Sequence, residues 1–212
     1  MATLYDAITK QDTLVDLVRN YYTNDIASQA DSGDNVIFTV GSHHFVEDDT
    51  VLIEGVVDGS GDAIAVYNDS FTILSVGATT ITVELEYDAT AVFTNATMNS
   101  VRVYNNMFVD LEQNNFCSVI IDIDDTLLIQ SASHAHIPGK TYYPIIVMDT
   151  IHHFTIGNNI QVRATRKYIS TKLDEILELF ENKCCKVIGS INRSESVWSN
   201  EEVSLIATTL EY

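Results

Sequence analysis

The 212-residue chain is short of positive charge: 11 Lys and Arg stand against 30 Asp and Glu, for a formal charge of −19. Between residues 20 and 139 the single base is Arg102, against 18 acids, so −17 of the total sits in the middle of the chain. Residues 140–212 carry 8 bases and 9 acids and are close to neutral. Without a basic face there is little to neutralise phosphates, which argues against groove or backbone binding to nucleic acid. Attraction to an anionic membrane surface is disfavoured for the same reason. Proline is scarce, with only Pro138 and Pro144, and no apolar run approaches the ~20 residues of a membrane span. The opening MATLYDAITKQD is polar and amphipathic and does not read as a secretory signal. Three cysteines make a poor disulfide framework. Adjacent Cys184 and Cys185 read as reduced thiols of a protein made in a cytoplasm, not as a bridge or metal site. The N-x-S/T matches at Asn68, Asn95 and Asn192 then carry no glycan.

What is present is a folded protein, because 46% hydrophobic content is too high for a disordered acidic tail. Leu4, Ile8, Leu14, Leu17, Val18 and Tyr21 recur at helical spacing, with Thr3 as a candidate N-cap and room for a break near Lys10–Asp12. Residues 23–35 read as a polar connector. From Val36 the period changes to 2. The spacing predicts short strands at 36–40, 50–56, 64–67, 70–76, 79–85, 91–94 and 100–104, divided by Asp, Asn and Gly turns. Such a run predicts a small sandwich or barrel. Further on, strands are predicted at 117–123, 144–148, 159–168, 185–191 and 202–210. A helix is predicted over 171–183, where Leu173, Ile176, Leu177 and Phe180 share a face and Thr171 and Asp174 form a capping pair. The expected class is α+β: an antiparallel or mixed sheet packed by two helices, from 1–35 and 105–212, with an all-β module inserted at 36–104.

Three constellations bear on chemistry. Asp122-Ile123-Asp124-Asp125-Thr126 follows the apolar run Ser118–Ile121 and resembles the D-x-D-x-T motif of haloacid-dehalogenase phosphotransferases. That resemblance implies Asp122 as nucleophile, Asp124 as acid/base and Mg²⁺ between them. The rest of that family's pattern is missing. Only 86 residues follow, and no later strand ends in the acidic pair needed to complete the metal site. An acidic strand end running into a turn is the better reading. The histidines fall in close pairs, His43-His44, His134-x-His136 and His152-His153. Only 134 and 136 would share a face of a strand, and Pro138-Gly139 places them beside a loop. No catalytic, cofactor or metal residues are therefore assigned. Arg163, Arg166, Lys167 and Lys172 form a basic cluster. On the predicted strand 163 and 167 share a face and 166 lies opposite. A solvated edge or a contact with the acidic part of a neighbouring copy both fit this cluster. Strand 202–210 reads as an exposed edge open to strand addition. Arg163, Arg166, Lys167, Leu205, Ala207 and Leu210 are accordingly the candidate interface residues.

Residues 43–85 resemble a small β module recurrent in virion proteins of tailed bacteriophages. The pattern is carried by His44, Val51-Leu52-Ile53-Glu54-Gly55, Asn68-Asp69-Ser70-Phe71-Thr72-Ile73 and Thr80-Ile81-Thr82-Val83. Asp48-Asp49 stands where Gly-Asp is usual. The flanks, about 1–25 and 105–212, resemble a tail terminator or tail-completion protein of such phages. That likeness rests on order: an N-terminal helix, Pro144–Val147, a long strand, helix 171–183 and a closing strand at Ala207–Tyr212. It implies a non-enzymatic structural protein in the virion tail or neck. Such proteins form a ring, usually hexameric, that ends the tail tube and joins it to the neck. The partners would be other copies of the chain, the tail tube protein and a neck or connector protein, with DNA passing through unbound. An acidic wall facing that channel would repel the DNA. Another neck, head-completion or baseplate component would read similarly, and a carbohydrate- or receptor-binding module over 36–104 is a third class.

Overall fold

The computed structural model describes residues 4–105, 117–123, 142–150, 158–181, 183, 185–188, 191–198 and 201–212. These form two helices and thirteen strands, an α+β class. The chain divides into two compact units, Arg19–Val101 and Met1–Val18 with Arg102–Tyr212.

Arg19–Val101 is built from β1 (Thr23–Asp25), β2 (Ser28–Asp31), β3 (Asn35–Thr39), β4 (Thr50–Glu54), β5 (Ser70–Val76), β6 (Thr80–Glu84) and β7 (Thr97–Asn99). The sheet order is β1-β7-β4-β5-β6-β3-β2, every pairing antiparallel. β1 and β2 stand at opposite ends of that order yet are neighbours in the chain. Ile26 N–H donates to Ala96 O at 2.9 Å on one side, and Ala27 N–H to Thr39 O at 2.8 Å on the other. The sheet is thus curled, with the segment 23–31 bonded along both of its ends. Alternation fills the inside: Val36 and Phe38, Val51 and Ile53, Ile81 and Val83, and Ala96 and Met98 are all buried in one cluster with Tyr67 and Ile73.

The expected connector at 23–35 is therefore largely strand. Only Ile26 of the segment 23–31 enters the core, so almost nothing in its composition betrays it. The strands expected at 64–67 and 91–94 are absent; Val57 makes single bridges to Ala63 and Val92, and Tyr67 N–H closes a turn onto Ile64 O. Of the strand expected at 100–104 only 102–104 is strand, and Ser100 and Val101 belong to none.

The other unit contains α1 (Leu4–Tyr22) up to Val18, β8 (Arg102–Tyr104), β9 (Ser118–Ile121), β10 (Tyr142–Thr150), α2 (Asn158–Glu181), β11 (Lys186–Val187), β12 (Asn192–Trp198) and β13 (Glu201–Glu211). The sheet runs β11-β13-β10-β9-β8, with β12 also on β13. β8 and β9 are parallel and the remaining pairs antiparallel, so the sheet is mixed. α1 is unbroken. Its buried line is Ala7, Gln11, Leu14, Val15 and Val18, while Ile8, expected to face inward, is 43% exposed.

The largest departure is α2. A strand over 159–168 followed by a helix is in fact one helix of 24 residues. Ile160, Val162 and Ala164 alternate by chance, whereas the window holds no Pro or Gly and is rich in Gln, Arg, Ala and Lys, which favour helix. Ile169, Leu173, Ile176 and Phe180 are buried at i, i+4, i+7 and i+11, and α2 packs on β10 and β13. Thr171 consequently caps nothing. Its hydroxyl donates to Lys167 O at 3.1 Å, within the helix.

Candidate functional site

The most constrained part of Arg19–Val101 is the set of residues that carried the module pattern. Gly55 has φ 81°, and a Cβ there would lie 2.6 Å from Asn95 O, so both conformation and space demand glycine. Asn68 works as a backbone clamp. Its Oδ1 accepts from Val56 N–H at 2.9 Å, and its Nδ2 donates to Val56 O at 2.7 Å and Ile64 O at 2.9 Å. An amide whose hydrogens are both engaged is a structural pin. Asp48, at φ 67°, is the one non-glycine described with positive φ, in the position where the pattern usually has glycine. Asp49 behind it is 3% exposed and accepts from Val46 N–H at 3.3 Å.

A second polar cluster surrounds the buried Tyr67. Its hydroxyl donates to Gln29 Oε1 at 2.7 Å and accepts from Asp88 N–H at 2.8 Å, while Gln29 Nε2 donates to Asp88 O. Burial raises the Tyr67 pKa, partly opposed by the bond from Asp88 N–H. The Thr90 hydroxyl and N–H hold the Asp88 carboxyl below its usual value. An open groove of about 710 Å³ lies where Asp25–Ala27 meet Phe93–Thr97. Its side chains offer one carboxylate, Asp25, and the amide and hydroxyls of Asn95, Thr94 and Thr97.

Of the residues singled out for chemistry, Asp122 follows β9. Its N–H donates to Pro144 O at 3.1 Å and its Oδ1 accepts from Ile123 N–H at 2.7 Å. Asp124, Asp125 and Thr126 lie outside the described residues, as do His134, His136, His152 and His153. His43 Nε2 is 3.0 Å from Gly77 O, and the His44 ring stacks on Tyr21 at 3.9 Å. Among the described residues no group of three His, Cys, Asp or Glu is placed to hold a metal. Sequence reading missed Gln11, which is 5% exposed. Its Nε2 donates to Asn105 O at 2.7 Å and Ile121 O at 2.8 Å, tying α1 to the end of β9. A glutamine at the expected helix break was the only signal.

The candidate interface residues are redistributed. Positions 163, 166 and 167 occupy helix α2 at i, i+3 and i+4, so they share a side of the helix instead of alternating along a strand. Lys167 is exposed. Lys172 leaves the cluster: it is 2% exposed, with Nζ 3.6 Å from Glu175 Oε2 and 5.3 Å from the Tyr168 ring centre. The expected free edge at 202–210 is overturned. β13 is interior, and its long run against β10 leaves its other side to β11 and β12. Ala207, for example, is opposite both Ile146 and Asn192. Leu210 is buried on the face that also buries Ser204, Ile206 and Thr208, while Leu205 packs toward Ile120 and Met148 from the opposite face. The three therefore form no single surface. Comparison with protein-family models, curated proteins and solved structures finds no match to this chain.

Proposed function

We propose that the chain is a structural protein of a tailed-phage virion, without enzymatic activity, forming a hexameric ring that ends the tail tube and joins it to the neck. In this reading Arg19–Val101 is a bracing β module inserted into an α+β core, and the partners are further copies of the chain, the tail tube protein and a neck protein. The carrying observation is the role found for the residues of the module pattern. Gly55 sits where only glycine fits, Asn68 clamps two turns, and Asp48 occupies the left-handed position of the usual glycine. Those are the roles of a scaffold, and the pattern they complete is the one that resembles virion modules.

Purified particles test the proposal. Gold-labelled antibody to this chain should mark the head–tail junction or the tail end, with a copy number matching a ring. Particles that lack the chain would overturn it. A Mg²⁺-dependent phosphatase activity abolished by Asp122→Asn would overturn the non-enzymatic part.

A further inference from the structure

We propose that the sheet margin carrying Lys186–Ile188, Ile191 and Arg193 docks onto the acidic turn Val46–Asp48 of a second copy of the chain. This rests on the assembly reading above and names its contact surface. Three of the eight large apolar residues found exposed among those described fall within five positions: Val187 (39%), Ile188 (43%) and Ile191 (48%). Lys183, Lys186 and Arg193 flank them and are also exposed. No acid occurs between 182 and 194, in a chain of net charge −19. The backbone fixes this strip in place. Lys186 and Val187 pair with Glu211 and Leu210, Ile188 N–H donates to Thr209 O at 3.0 Å, and Arg193 pairs with Ile206. Among the described strands β11 and β12 pair only with β13, so the strip is the margin of its sheet.

Arg19–Val101 presents the complement. From residue 20 to 101 there are 13 acids and no Lys or Arg. Exposed Val46 (52%) and Leu74 (48%) lie with exposed Glu47 and Asp48 at one place on its surface. Asp48 N–H donates to Ile73 O at 3.0 Å and Ile73 N–H to Asp49 O at 2.9 Å, which sets the turn against the strand carrying Leu74. The register shift after Ile73 marks the irregularity where Leu74 turns outward. One surface is aliphatic and basic, the other aliphatic and acidic. Unlike surfaces joined in this way generate a head-to-tail contact, the kind that closes into rings.

Sedimentation velocity over a concentration series tests this. The wild-type chain should associate at low ionic strength and dissociate toward monomer in ~0.5 M NaCl. Lys183→Glu/Lys186→Glu/Arg193→Glu should weaken association about a hundredfold, as like charges are brought together. Glu47→Lys/Asp48→Asn should do the same alone. Mixed with the first variant, it should restore association between the two, which a pair of misfolded chains would not do. Wild-type association in the triple variant, no association between the two variants when mixed, or a wild-type monomer at every concentration at low salt would each overturn the contact. Association through another surface leaves the ring proposal standing. That proposal falls on the particle labelling instead.

Discussion

An L-residue held at φ 67°, as Asp48 is, takes on backbone strain that glycine avoids, although Asp tolerates it better than most. Set against the extra unfolded-state freedom of glycine, Asp48→Gly should still raise stability, by about 0.5 kcal/mol in urea unfolding. Gly55→Ala should run the other way and cost about 2 kcal/mol, because strain at φ 81° adds to a 2.6 Å approach to Asn95 O. The opposite signs separate a local backbone effect from a general sensitivity of the unit. Tyr67 supplies a pH dependence. Burial raises its pKa above 10.0, so the folded state keeps the phenol proton where the unfolded chain loses it. The stabilisation is fully present below pH 10.0 and is lost as pH rises toward and through the folded value. Tyr67→Phe should flatten the alkaline decline in thermal unfolding midpoint, although it also removes the hydroxyl bonds to Gln29 and Asp88 at every pH.

Among the elements, α2 allows a test in which two readings differ in sign. If Thr171 capped a helix starting there, Thr171→Ala would destabilise by about 1 kcal/mol. Inside a continuous helix, exposed and bonded back to Lys167 O, it should instead stabilise by a few tenths of a kcal/mol. Equilibrium urea unfolding distinguishes the two. The same element shows why the sequence was legible in part. Leu173, Ile176 and Phe180 announced the C-terminal half because they face a sheet and must repeat at 3.6. The preceding turns hold apolar residues at alternate positions, Ile160, Val162 and Ala164, and a window of ten does not separate that from a strand. β3, β5 and β6 are legible almost to the residue because one side of each fills the core. β2 and β12 were invisible because Ser28–Asp31 and Asn192–Trp198 are polar in sequence. Strands at a sheet margin owe their structure to a partner's hydrogen bonds, which leave no mark in their own hydropathy. For the candidate site, Gly55 and Asn68 were legible as a motif, whereas Gln11 depends on carbonyls 94 and 110 residues away.

For the molecule as a whole, charge is sharply partitioned along the chain. The chain from 20 to 101 has 13 acids and no Lys or Arg, so the compact form of Arg19–Val101 brings like charges together with no lysine or arginine after its first residue to offset them. The unit can carry that cost because its core is well filled, with Val36, Phe38, Val51, Ile53, Tyr67, Ile73, Ile81, Val83 and Met98 each fully buried. The repulsion is long-ranged and lies at the surface, so it should respond to salt in a way that packing does not. Raising NaCl from ~0.01 to ~0.5 M should therefore stabilise Arg19–Val101. Hydrogen exchange should slow most at its core amides, such as Ile53 and Ile73, and less at Ile145 and Ile206 in the nearly neutral remainder. A single reversal at an exposed acid, Asp34→Lys, should reproduce part of this at low salt, by a few tenths of a kcal/mol. Its effect should vanish at high salt. If salt slowed exchange equally in both units, the stabilisation would come from a general strengthening of apolar burial, and the acidic surface would carry no folding cost.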